Sequence, residues 1–181
     1  FSWPFSFNVA DIYVNEKLSG NSIQTNLPNK KPDTKKFSSY SSLKGRFSFS
    51  YPSAFSLNQQ DFTGSDILYH IDFHDKNSIS NGFVQVWNLP YSLEEFLDTS
   101  KSLSKQDYKY FTIKSVTVNN LPGYYWDYSI KTKDGKYYKG SEVFLKKDDR
   151  MYRISNFVPE TQWNKAHNEI YWNMVNSFKV L

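Results

Sequence analysis

The sequence predicts an α+β fold, an α/β/α sandwich in which helices cover a central twisted antiparallel sheet. Beyond Phe37 most of the chain alternates apolar and polar residues at a period of two, the pattern of strands with one buried face. The turns between those runs are short, which suits antiparallel pairing and excludes the long crossovers of a parallel sheet. Two stretches, opening near Ser92 and Trp163, change to steps of three and four. That is the period of amphipathic helices, whose apolar stripes need a sheet face for burial.

Taken in order, Phe1, Trp3, Phe5, Phe7 and Val9 alternate with polar residues as an edge strand would, Pro4 barring a central position. Such a segment suits an aromatic belt at a membrane surface, a strand donated to a partner, or a terminus packed on its own domain. Ser19 to Lys36 lacks aromatics and periodicity, carries Pro28 and Pro32, and reads as a linker. Residues 1–37 are therefore expected to be an N-terminal segment and linker, and residues 38–181 one domain. Phe47, Phe49 and Tyr51 form a first strand that stops at Pro52; Tyr69, Ile71 and Phe73 form a second. A third, Phe83 to Trp87, follows Asn81-Gly82, read as a tight turn.

Ser92 and Glu95 have capping-box spacing at a helix start, with Leu93, Phe96, Leu97 and Leu103 as the stripe. Tyr108 to Val118 is strand-like but changes phase between Ile113 and Val116, which predicts a bend or bulge. Tyr124 to Ile130, Tyr137 to Leu145 and Met151 to Val158 follow, separated by turns at Asp134-Gly135 and Asp148-Asp149. After Pro159, the stripe Trp163, Ala166, Ile170 and Met174 marks the last helix. The predicted order is β-β-β-α-β-β-β-β-α.

Composition bounds the function. The chain is 19% aromatic, with 15 Phe, 14 Tyr and 5 Trp, so its core is built from rings. The polar tips of Tyr and Trp let such a chain keep a mean hydropathy of -0.66. Its net charge of +4 comes mostly from dispersed Lys, a solubility pattern more than a nucleic-acid footprint. Lys136-Tyr137-Tyr138-Lys139 comes nearest to such a footprint, but it sits on a hairpin strand. With no Cys, disulfides and thiolate sites are excluded. No apolar run of membrane-spanning length exists, and a first residue other than Met leads us to expect a signal peptide, lipid anchor or transmembrane helix upstream of Phe1. Membrane contact is expected only through that segment.

Gly45-Arg46-Phe47-Ser48-Phe49-Ser50-Tyr51-Pro52 resembles the opening of Mog1/PsbP-like domains, a strand that ends in a Tyr-Pro pair. Leu121 to Tyr128 is similar to that family's central strand, entered through a Gly. Tyr152-Arg153-Ile154 resembles its last strand, and Trp172 to Phe178 its closing helix. The resemblance runs from about Tyr40 to Val180. It implies the same sandwich and a small binding or assembly protein without chemistry or cofactor of its own, acting on a protein partner. The Asn-, Lys-, Ser- and Tyr-rich composition with no Cys resembles that of a surface protein of a low-GC Gram-positive bacterium, so the expected location is extracytoplasmic, at such a cell surface.

No catalytic residues emerge. Gly64-Ser65-Asp66 and Gly140-Ser141-Glu142 are not nucleophile elbows, and no phosphate loop, dinucleotide fingerprint or zinc-protease motif appears. Glu94, Glu95 and Asp98 suit a helix start, where carboxylates favour the dipole. His70, Asp72 and His74 are the candidate metal ligands, since imidazole and carboxylate on one strand face accept borderline metals. At about 3.3 Å per residue the two imidazoles lie roughly 13 Å apart, so at most a subset with a neighbouring strand can share an ion. The same pattern fits a solvated strand face. His167 borders the last helical stripe, and Trp87, Tyr125 and Trp126 are read as core rather than as a sugar or peptide platform. Two functions remain, a tethered or secreted protein-binding module and, as the alternative, a small-ligand or metal-ion binder.

Overall fold

A computed structural model of the chain describes residues 36–62, 65–76 and 80–181. The segment Phe1 to Val9 and the linker lie outside the described residues. In chain order the elements are β1 (Phe37–Ser42), β2 (Phe47–Pro52), β3 (Phe55–Gln60), β4 (Ile67–Asp75), β5 (Asn81–Asn88), α1 (Leu93–Leu103), β6 (Asp107–Val118), β7 (Leu121–Lys131), β8 (Tyr137–Lys147), β9 (Arg150–Pro159), α2 (Lys165–Ser177) and β10 (Lys179–Val180).

Seven strands form one sheet in the order β3-β4-β5-β9-β8-β7-β6, and every pairing is antiparallel. Helix α1 is the crossover that carries the chain from β5 to the far edge, after which β6 to β9 return by hairpins. One face of the sheet buries Phe83, Trp87, Trp126, Tyr128, Phe144 and Phe157 under Leu93, Phe96 and Leu97 of α1. The other buries Tyr69, Phe73, Val84, Val143, Tyr152 and Ile154 under Ile170, Tyr171, Met174 and Val175 of α2. Phe47 and Phe49 of β2 join that second layer, where β2 pairs with β1 and with β10 in a sheet of its own. The expected sandwich is therefore the architecture, with three strands beyond those predicted. β1 and β3 are rich in Ser, Asn and Gln with little apolar alternation, and β10 has two residues, so none carries a legible strand pattern.

Several local readings are corrected. Asn81 and Gly82 lie inside β5 and are not a turn. A Cβ on Gly82 would lie 2.2 Å from the Ser155 carbonyl and 2.3 Å from the Phe73 ring, so Gly is there to let β9 and Phe73 approach. β6 has its irregularity between Tyr108 and Tyr110, not between Ile113 and Val116. The phase change reflects a change of buried face: Phe111 packs into the α1 layer and Val116 into the α2 layer. Leu103 is 47% exposed and leaves the α1 stripe. Ser92 caps α1 by accepting the Glu95 amide, as its spacing predicts. Asn164 caps α2, so Trp163 precedes the helix and is not part of its stripe. The Asn164 side chain accepts the His167 amide while His167 Nδ1 accepts the Asn164 amide, a reciprocal box with His where Glu or Gln is usual.

Candidate functional site

Two polar constellations lie within the α1-facing layer. In the first, Glu142 Oε1 accepts from Arg153 Nη2 at 2.6 Å, Arg153 Nε at 2.8 Å and Ser155 Oγ at 2.6 Å, while Oε2 accepts from Tyr128 at 2.8 Å. The guanidinium also lies over the rings of Phe83 and Phe144. Both ions are buried, and each lone pair used has a donor, the condition for a charge pair to persist inside a protein. Burial first, then the Glu142 charge, pushes the Tyr128 hydroxyl well above its ordinary pKa.

The second contains the candidate metal ligands. Trp87 Nε1 donates to Gln85 Oε1 at 3.0 Å, which turns the Gln85 amide nitrogen toward His70 Nδ1, also at 3.0 Å. His70 Nδ1 therefore accepts, and Nε2 carries the hydrogen donated to Asp72 Oδ1 at 2.9 Å. Asp72 Oδ2 accepts from Gln60. His74 instead turns Nδ1 to Asn81 Oδ1 at 2.8 Å. The structure thus brings His70 and Asp72 together and leaves His74 apart. Among the described residues no group of three or more His, Asp or Glu is arranged to hold a metal ion. His70 is not on a solvated face: it is 1% exposed, between Phe62 and Phe83.

A surface site lies at one end of the sheet, where β8 begins and β9 ends. Pro159 stops β9, a 3-10 turn at Glu160–Gln162 follows, and Trp163 leads into the α2 cap. A cleft of about 550 Å³ opens here between Lys136, Tyr137 and Tyr138 on one side and Pro159, Glu160 and Gln162 on the other. Trp163, 40% exposed, and Tyr137, 39% exposed, are rings at this end that the core does not absorb. Lys139 lies 4.3 Å above the Trp163 ring and 5.3 Å above Tyr110; Lys109 lies 5.3 Å above Tyr137. Glu160 accepts from Lys109 at 2.6 Å and Ser129 at 2.8 Å, and those two bonds, Lys109's first, hold its carboxyl below the usual range. Tyr110 donates to Asp127 at 3.1 Å. The exposed rings are thereby held against cations, of which Lys109 is itself paired with Glu160.

Trp87 and Trp126 are core, as the alternation predicts, with Tyr125 half-buried against Trp172. Glu94 and Glu95 occupy the first turn of α1, and Glu94 also accepts from Tyr124 at 2.9 Å. The Lys136 to Lys139 run divides between faces: Tyr138 is buried, while Tyr137 and Lys139 join the surface. His167 is buried rather than at a boundary. Sequence reasoning missed Trp163 and Glu160 because it drew Trp163 into the helical stripe. The signal that could have found them is Asn164-x-x-His167 as a cap, which puts Trp163 outside the helix.

Comparison with known families decides the lineage: the PsbP family model matches residues 35–180. The chain belongs to the PsbP family. Among solved structures, cyanobacterial PsbP (CyanoP) from Synechocystis sp. PCC 6803 is similar at a TM-score of 0.59 and 14% identity, over 80% of this chain and 92% of that one. A protein of Bacteroides thetaiotaomicron VPI-5482 is similar at 0.54 and 14%, over 79% of this chain and 48% of that longer one. No curated protein matches. At such identities the structural likenesses show the fold.

Members of the PsbP family are not known as enzymes, and the family points in general to protein-interacting or assembly roles. In this PsbP domain the residues of the resemblance are structural. A Cβ on Gly45 would meet the Phe47 ring at 2.5 Å, and one on Gly123 the Phe144 carbonyl at 2.0 Å. Strand β7, which Gly123 enters, is second from the sheet edge rather than central; the middle position belongs to β9, with Tyr152 to Ile154.

Proposed function

We propose that this PsbP domain is a non-enzymatic recognition module that takes a protein partner at the cleft end of its sheet. The observation that carries the reading is the pair of exposed rings, Trp163 and Tyr137, held beside a cleft by Lys139, Lys109 and Glu160. Aromatic side chains in fixed poses, ringed by satisfied polar groups, are the composition of interface hot spots, because little conformational freedom remains to be lost on binding. The buried His70 supports the non-enzymatic part: both imidazole nitrogens are engaged inside the protein, one with Gln85 and one with the partly exposed Asp72. A photoreactive residue placed at Thr161 in the full chain should give one discrete cross-linked adduct in cells, lost when Trp163→Ala is added. An adduct that forms equally from a position on the exposed β6 edge, or that survives Trp163→Ala, contradicts the reading.

A further inference from the structure

The opposite end of the molecule carries a second surface. Strand β8 alone, eleven residues long, puts about 33 Å between the cleft and the β8–β9 turn. At that far end the β1–β2 turn lifts Leu43 into solvent at 89% exposure, the most exposed large apolar side chain among the described residues. The turn is tightly determined. Gly45 N donates to Ser42 Oγ at 2.8 Å, the Leu181 amide to the Arg46 carbonyl at 2.8 Å, and Arg150 Nη1 to the Lys44 carbonyl at 3.4 Å. Arg46 takes a left-handed φ of 58°. A turn fixed by four separate features, one of them a left-handed non-glycine residue, holds this apolar side chain out in solvent.

Cations stand at the same end. Arg46, Lys147, Arg150 and Lys179, with Asp148 and Asp149, line two adjoining clefts of about 390 and 280 Å³, and Lys44 lies 3.9 Å from Asp61. Lys147 and Val180 line both clefts. Arg150 donates to the Lys44 carbonyl and also to the side chain of the buried Tyr152, so it is positioned rather than free. Cations at the same end as one protruding leucine match a surface that offers anions at the boundary of a hydrocarbon layer.

We propose that this end docks on an anionic phospholipid surface, with Leu43 entering the headgroup boundary and Lys147, Lys179, Arg46 and Arg150 facing the phosphates. Docked so, the domain presents its aromatic cleft away from the bilayer. The test is sedimentation of the full chain with vesicles of phosphatidylglycerol and phosphatidylcholine, compared with phosphatidylcholine alone. Binding is expected only to the first and should fall with added salt; Lys147→Glu should weaken it about fivefold or more, and Leu43→Ser several-fold. Circular dichroism of both variants checks that they fold. No binding to phosphatidylglycerol overturns the proposal, as does binding that Leu43→Ser leaves unchanged, which would make the cations a site for an acidic protein. Neither result bears on Trp163, so this proposal and the cleft reading fail separately.

Discussion

Replacing Arg153 by Met removes a buried cation and keeps most of its volume. Glu142 would then be a carboxylate 1% exposed, retaining the hydroxyls of Tyr128 and Ser155 but no opposite charge. Breaking one side of such a pair costs about 3–5 kcal/mol, because the remaining ion stays buried. For a chain of this size each kcal/mol moves the melting temperature by about 2–4 °C, which predicts a fall of roughly 6–20 °C. Glu142→Leu is costly too, stranding the guanidinium and two hydroxyl donors. The double variant should cost less than the sum of the singles by at least about 1 kcal/mol, since it leaves hydroxyls without an acceptor but no unpaired ion. Urea unfolding of the four proteins, followed by tryptophan fluorescence, measures the cycle. A loss under about 1 kcal/mol for Arg153→Met, or strict additivity, would refute the reasoning, because only a solvated pair behaves that way.

Further outcomes follow from the histidines. Burial holds the His167 pKa below its ordinary value, with the Asp75 charge opposing that shift only in part. The unfolded chain therefore binds the proton more readily, and the stability tied to neutral His167 is present above about pH 6.5 and lost as pH falls below it. His167→Gln keeps a side chain able to complete the cap with Asn164, so the melting temperature of that variant should fall less between about pH 7 and pH 5 than that of the native chain; an equal fall would contradict the assignment. Zinc or manganese at millimolar level should leave the melting temperature unmoved, because a metal at His70 must displace bonds to Gln85 and Asp72. A rise abolished by Asp72→Asn would restore a metal site on β4.

The legible parts of the fold were those where one face is buried and the other is not. Trp126, Tyr128 and Ile130 show their strand because the sheet separates them from Tyr125 and Asp127. β1 and β3 were hidden because edge strands of Ser, Asn and Gln are held by backbone bonds that leave no side-chain signature. Gly82 misled because a glycine needed for close packing and one needed for a turn look alike in sequence. The β6 phase change was seen but misread, since a strand crossing from one layer to another shifts its apolar set as a bulge does. The family resemblance succeeded because Gly45, Pro52 and Gly123 mark backbone requirements that composition does not alter. Of the candidate site, Tyr137 was visible within the Lys136 to Lys139 run on a hairpin strand. Its meeting with Lys109, Glu160 and Trp163 depends on contacts between elements far apart in sequence.

The central claim is that the rings beside the β8–β9 cleft carry recognition. Its most direct measurement is the dissociation constant of the cross-linked partner for the full chain and for the Trp163→Ala/Tyr137→Ala variant, at matched fold by circular dichroism. A hot spot of two aromatic anchors predicts a loss of at least about 30-fold, or roughly 2 kcal/mol. A dissociation constant that stays within about twofold of the native value would contradict the claim.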